Sequence, residues 1–171
     1  MVKDLYLIRH ATAEDAGNSA MLRDFDRELT SKGVMQSARL GKYMADKGLV
    51  PQEVHCSPAA RTLKTATLVF EQMKLNDEAV KANETLYGGG PRGYLALVNS
   101  LSEEVHSVAL VGHNPDITFF AEYLCTKDVG GSMKKGTLIH FRFENLNWAE
   151  VSQKSADFIS RLDVKKLFEN E

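Results

Sequence analysis

The sequence predicts an α/β protein, a three-layer sandwich in which a mainly parallel sheet carries helices on both faces. Three observations lead there. Leu5-Tyr6-Leu7-Ile8 and Val108-Ala109-Leu110-Val111 are short continuous apolar runs, the pattern of strands buried on both sides. Between them apolar residues recur at helical spacing, most plainly Leu63, Ala66, Phe70 and Met73. At 171 residues, 43% hydrophobic and 26% charged, the chain suits one domain, 1–171, with a real core.

The elements follow in order. After the strand at 5–8, residues 11–29 are polar, contain Gly17, Asn18 and Ser19, and read as a long surface loop, a length that marks function or mobility. Thr30 precedes a helix running to about Lys47, with Gly48 at its stop. A second strand is expected at 53–57, a helix at 59–73 and a short strand at 79–84. Gly88-Gly89-Gly90-Pro91 breaks structure before a helix that runs through Leu101. The strand at 108–111 closes at Gly112, and Ile117, Phe120, Ala121 and Leu124 mark the next helix. Alternation at 137–143 and 149–152, around Asn145-Leu146-Asn147, suggests a closing hairpin.

Composition excludes several functions. Twenty-one Lys and Arg against 23 Asp and Glu give a net charge of −2, unlike a general nucleic-acid binder. Cys56 and Cys125 form no CxxC pair. No apolar run approaches the roughly 20 residues of a membrane helix, and Met1-Val2-Lys3-Asp4 carries an acid where a signal peptide would turn apolar. A cytoplasmic protein with no membrane contact is the expectation.

In parallel sheets, ligands bind beyond the carboxyl ends of the strands. Here those positions are Arg9-His10, then Ser57-Pro58-Ala59-Ala60-Arg61, then Gly112-His113-Asn114-Pro115. A lone histidine beside a strand is usually structural, but two histidines and two arginines at comparable strand ends point to one site. No GxSxG elbow, P-loop or HxxxH spacing accompanies them, so neither a metal nor another cofactor is expected. Guanidinium groups match phosphate oxygens in bidentate fashion, and a neutral imidazole can act as a nucleophile. Together they describe phosphoryl transfer through a phosphohistidine, with arginines and the second histidine supplying the charge stabilisation.

These residues carry a resemblance. Leu7-Ile8-Arg9-His10-Ala11-Thr12-Ala13-Glu14 resembles the signature of the histidine phosphatase (phosphoglycerate mutase-like) superfamily, and looks closest to the small SixA-type phosphohistidine phosphatases. Arg27-Glu28-Leu29-Thr30-Ser31-Lys32-Gly33 resembles the family's R-x-L-T-x-x-G stretch. Cys56 to Ala66 resembles its S-P-x-x-R-x-x-x-T-A helix start, and Val111-Gly112-His113-Asn114-Pro115 its G-H-x-P segment. Four ordered motifs over about residues 3–125 make the match specific. Ala11 replaces the signature's usual Gly, which is tolerable unless the position needs φ > 0.

The resemblance implies a phosphoglycerate mutase-like fold with His10 as the nucleophile. It implies that Arg9, Arg61 and His113 bind the phosphoryl oxygens, with Arg27 either a further contact from the polar loop or a solvated charge. Ser57 reads as a cap for the following helix rather than as a phosphate ligand. Glu84 matches the proton-donating glutamate of mutase-like relatives, while Asp15 and Glu14 are alternative acids. His55, His106 and His140 match no motif and read as structural.

Only 28 residues separate Glu84 from His113, where mutase-like relatives carry an insertion over the pocket. An open site suits phosphohistidine on a protein, such as a histidine phosphotransfer domain, better than a small metabolite. Lys134 and Lys135 read as a solvated loop rather than as a grip for a carboxylate. A phosphatase for a small phosphorylated metabolite and a non-catalytic phosphate-binding module are the alternatives.

Overall fold

The computed structural model describes residues 1–15, 23–75 and 77–169. One six-stranded sheet runs through the molecule. Its strands are β1 (Val2–Arg9), β2 (Glu53–Cys56), β3 (Val80–Ala82), β4 (Ser107–Gly112), β5 (Thr137–Glu144) and β6 (Asp157–Asp163), in the order β3-β2-β4-β1-β5-β6. The pairings β3-β2, β2-β4 and β4-β1 are parallel, and β1-β5 and β5-β6 are antiparallel.

The helices are α1 (Ser31–Asp46), α2 (Ala60–Glu71), α3 (Gly90–Asn99) and α4 (Asp116–Leu124). Strand alternation divides the core between the two faces, as the expected sandwich requires. Leu5 and Leu7 of β1 face Tyr94, Val98, Ile117 and Phe120 of α3 and α4, whereas Tyr6 and Ile8 face Leu40, Met44, Ala66 and Phe70 of α1 and α2. Each central strand is therefore buried on both sides, which is why its sequence is continuously apolar.

Element starts follow the sequence signals. Thr30 caps α1 by accepting the Gly33 N–H at 3.1 Å, and Gly48, just past its end, takes φ +72°. The loop expected over 11–29 holds a bridge between Ala13 and Leu29 and a 3₁₀ turn at Asp24–Asp26, while its portion at 16–22 lies outside the described residues.

The closing hairpin departs from expectation. Residues 149–152 do not form its second strand; Trp148–Glu150 is a 3₁₀ turn, and β6 lies further on, at Asp157–Asp163. Trp148 and Val151 are both buried, a spacing of three that fits a 3₁₀ turn rather than a strand. The turn is fixed by Trp148 Nε1 donating to the Val105 carbonyl at 2.7 Å, and by Asn99 Nδ2 donating to the Trp148 and Val151 carbonyls. β6 pairs only with β5, so it is an edge strand, and none of its residues is buried.

Candidate active site

Sheet register assembles the site. β1 and β4 run side by side with Arg9 opposite Gly112, and β2 and β4 with Cys56 opposite Val111. The chain therefore leaves three adjacent strands at one level, where it presents His10, Ser57 and His113. The His10 N–H donates to the Gly112 carbonyl at 3.1 Å, and the Ser57 N–H to the Val111 carbonyl at 3.1 Å. Arg61 lies in the first turn of α2. Arg9, His10, Arg27, Arg61 and His113 line one cavity of about 500 Å³, together with Asp24, Tyr87 and Asp116.

Residues outside the cavity explain why the motifs read as they do. Thr65 Oγ1 accepts the Ala11 N–H at 3.2 Å and donates to the Arg61 carbonyl at 2.7 Å, tying the end of β1 to the helix that presents Arg61. Ala11 itself is not among the described residues with positive φ, so the exchange of Gly for Ala is accommodated. At Gly112 a Cβ would stand 1.9 Å from the Tyr94 hydroxyl, and that hydroxyl accepts the His113 N–H at 3.0 Å. A glycine there lets Tyr94 reach under the strand end and hold the second histidine by its backbone.

The two imidazoles are set in different ways. His10 Nδ1 lies 2.7 Å from the Ala11 carbonyl oxygen, which only accepts, so Nδ1 carries the proton and Nε2 keeps its lone pair. Burial pushes the His10 pKa down to about 3. The Ala11 hydrogen bond opposes this, and the neighbouring His113, Arg61 and Arg9 reinforce it. His10 is thus a neutral imidazole at neutral pH, with Nε2 unprotonated. His113 Nε2 lies 2.7 Å from Ser57 Oγ. That hydroxyl also accepts the Ala59 N–H at 3.3 Å, which leaves its own proton for Nε2 and the imidazole proton on Nδ1. Burial, aided by Arg61, lowers the His113 pKa to about 4.

Around the histidines stand three guanidinium groups and the carboxylates of Asp24 and Asp116. Arg9 is anchored by Nη1 donating to the Met133 carbonyl at 2.9 Å. Arg61 donates through Nη1 to the Asp24 carbonyl at 2.7 Å and through Nη2 to its carboxylate at 3.0 Å. Arg27 reaches the other Asp24 oxygen at 3.2 Å, and the Tyr87 hydroxyl donates to the carboxylate at 2.9 Å. Burial pulls the Asp24 pKa up, but the hydrogen bonds from Tyr87 and Arg61 and the charges of Arg61 and Arg27 together hold it below the usual value. An ionised carboxylate of the protein's own therefore rests among the cationic groups.

Five buried side-chain N or O atoms among the described residues lack a hydrogen-bond partner. Four belong to this cavity: Nε of Arg9, Arg27 and Arg61, and Nδ1 of His113. Buried donors without partners are rare and call for an explanation. All four residues line this cavity, and their guanidinium and imidazole groups together suit an anion that accepts several hydrogen bonds at once.

Glu84 is not brought into this cavity; it opens a 3₁₀ turn at Glu84–Leu86 with its side chain exposed. Glu14 and Asp15 are likewise exposed and do not line the cavity. Ser57 does not cap α2, whose N-cap is Ala59; its hydroxyl is engaged with His113 instead. The other histidines lie elsewhere: His55 Nε2 pairs with Glu53 at 3.1 Å, His140 Nε2 with Asp4 at 2.7 Å, and His106 is exposed. Asp24 and Tyr87 were missed by sequence reasoning. The only hint was an acid three residues before Arg27, in a loop whose path no pattern reveals.

Residues 5–86 match the family described as the histidine phosphatase superfamily (branch 1). The fold and the cluster of His10, Arg9, Arg61 and His113 at its strand ends agree with that match, which is to a superfamily of phosphatases and mutases. Within it, the likeness is to SixA. A structure from Agrobacterium tumefaciens, assigned as the phosphohistidine phosphatase SixA, aligns with a TM-score of 0.78 and 25% identity, over 94% of this chain and 97% of that one. A second, from Nakamurella multipartitia and assigned in the same way, aligns with a TM-score of 0.77 and 26% identity, over 95% and 96%. By sequence, an uncharacterized protein of Picosynechococcus sp. is 28% identical over 81% of this chain and 84% of its own length.

Proposed function

We propose that this protein is a phosphatase that removes the phosphoryl group from phosphohistidine on a protein, through a phosphoenzyme formed on His10 and without a metal ion. The observation that carries the reading is that three arginines and a second histidine line one cavity with a histidine whose Nε2 is unprotonated. The arginines and second histidine match the oxygens of a phosphoryl group, and the unprotonated nitrogen matches its phosphorus.

In the first step, His10 Nε2 attacks phosphorus and the bond from phosphorus to the substrate imidazole breaks. An imidazole whose other ring nitrogen is protonated leaves neutral, so this step needs no acid from the protein. Arg9, Arg27, Arg61 and His113 Nδ1 hold the three oxygens as charge redistributes. In the second step, water attacks the phosphohistidine, its proton passes to the Asp24 carboxylate, and the bond from phosphorus to Nε2 breaks. The Ala11 carbonyl keeps the proton on Nδ1, so His10 also leaves neutral. Once phosphate displaces Asp24 from the arginines, the carboxylate is free to serve as that base.

Between Glu84 and His113 the chain forms only the 3₁₀ turn, α3 and β4, with no inserted element over the cavity. That openness suits a phosphorylated side chain on a protein. No described helix is long and apolar enough to cross a membrane, and we place the enzyme in the cytoplasm. The test is phosphate release, in EDTA, from a phosphohistidine-bearing protein domain, with His10→Ala as the paired control. Release by the unaltered protein alone is the expected result. Turnover of small phosphorylated metabolites but of no such domain would transfer the activity to that class, and binding without turnover of either would make the protein a phosphate-binding module.

A further inference from the structure

Beside the His10 cavity lies a second, larger groove of about 750 Å³, and Arg9 lines both. Its rim carries Lys32, Lys134, Lys135 and Lys165. These lysines come from separate places: the first turn of α1, the turn before β5, and the 3₁₀ turn at Val164–Phe168. All four are exposed, and among the described residues none forms an ion pair. The one carboxylate in the groove, Asp163, is already engaged by Thr137 Oγ1 at 2.8 Å and Arg161 Nε at 3.0 Å. A chain of net charge −2 thus gathers five cations, Arg9 included, around one groove. Like charges so collected repel one another, and an anionic occupant relieves that repulsion.

The groove is not purely polar. Met35 is 62% exposed, and Phe168, whose ring centroid lies 5.1 Å from the Arg39 guanidinium, also lines the groove. The occupant that fits is acidic and also carries an apolar side chain. A small anion would have no use for the apolar surface that Met35 and Phe168 add to the groove; a protein surface would.

We infer that this groove docks an acidic, apolar-bearing segment that flanks the phosphorylated residue of the protein substrate. The inference rests on the protein-phosphohistidine reading above. A phosphoryl group held by Arg9 on one side places the adjoining chain against the lysines on the other.

Two short synthetic peptides test it, each centred on histidine, one flanked by Asp, Glu and a single Leu, the other by Asn, Gln and Ala. Direct binding of the unphosphorylated peptides to the unaltered protein reads the docking. Turnover of their phosphohistidine forms reads the activity separately. The acidic peptide should bind about tenfold tighter at low ionic strength, and the preference should shrink in high salt. Lys32→Glu with Lys165→Glu should abolish it, and Lys32→Ala with Lys165→Ala should give a smaller loss; neither lysine lines the His10 cavity. Equal binding of the two peptides overturns the docking surface whether or not either is turned over. Lysine-dependent binding of inorganic tripolyphosphate with no preference between the peptides also overturns it, in favour of a small-anion site. Failure to turn over either phosphorylated peptide, with the binding preference intact, counts against the phosphohistidine reading and leaves the docking surface supported.

Discussion

Asp24 occupies the cationic cradle that a phosphoryl group would fill, so Asp24→Asn should act on binding and turnover in opposite directions. The carboxylate pairs with Arg61 at 3.0 Å and Arg27 at 3.2 Å. Its side chain is 53% exposed, so each pair is worth no more than about 0.5–1 kcal/mol. An entering phosphate must displace both, about 1–2 kcal/mol in all, which corresponds to roughly 5- to 30-fold in affinity. Asparagine is neutral but keeps the backbone carbonyl that Arg61 Nη1 contacts at 2.7 Å, so the loop has reason to stay in place. Calorimetric titration with inorganic phosphate should therefore show binding tighter by that factor. Rapid-quench measurement of the phosphoenzyme should show its hydrolysis slowed by about 10²- to 10⁴-fold, the usual effect of a general base. Unchanged or weaker phosphate binding would refute the competition, and unchanged hydrolysis would remove Asp24 from the second step.

Three further outcomes follow from the same geometry. Arg61→Lys keeps the charge but loses the planar fork, and should lower kcat/KM on the order of 10²-fold with little change in melting temperature; near-normal kinetics would show that charge alone suffices there. Ser57→Ala removes the hydroxyl that fixes the His113 tautomer and should cost about tenfold in kcat/KM, mostly through kcat, whereas a change confined to stability would mark Ser57 as a purely structural tie. Acid should destabilise the fold through the two histidines, whose pKa values stand near 3 and 4 against about 6.5 unfolded. Their contribution is intact above pH 6.5 and is lost as pH falls toward 4 and then 3, at about 1.4 kcal/mol per unit for each. Denaturant titrations at pH 7 and pH 5 check this, and a His10→Phe variant with the same slope as the parent would contradict it.

The sequence displayed the part of the site that buried strands announce. β1 and β4 are apolar throughout because both of their faces are covered, so the polar residues directly after them, Arg9-His10 and Gly112-His113, stand out as a departure from that pattern. Arg61 was legible because it opens a clearly amphipathic helix. Asp24 and Tyr87 were not, because both reach the cavity from irregular chain whose path depends on contacts such as the bridge between Ala13 and Leu29. Glu84 was misleading for a similar reason: a motif position fixes the backbone neighbourhood, but the 3₁₀ turn at Glu84–Leu86 buries Leu86 and leaves Glu84 exposed. β6 escaped notice because an edge strand with charged residues lacks the alternation of a half-buried one.

Charge at the cavity has one more consequence. Arg9, Arg27 and Arg61 face Asp24 and Asp116, and at rest the positive side prevails, which helps to keep both histidines neutral. An entering dianion reverses the sign of the field that His113 feels. An opposite charge at hydrogen-bonding distance raises a histidine pKa by roughly 1–3 units, enough to carry His113 from about 4 into the range near 6. Anion binding at pH 5.5 should therefore take up more than roughly half a proton. Sulfate is the suitable probe, because it carries no titratable proton in this range. Calorimetry in buffers of different ionisation heat measures the uptake directly, and His113→Asn should abolish it while His10→Asn should not. If the unaltered protein takes up no proton, His113 Nδ1 does not lie against the anion, and the cradle loses one of its four donors. If uptake persists in His113→Asn, the proton goes to His10, and binding would then silence the imidazole proposed as the nucleophile.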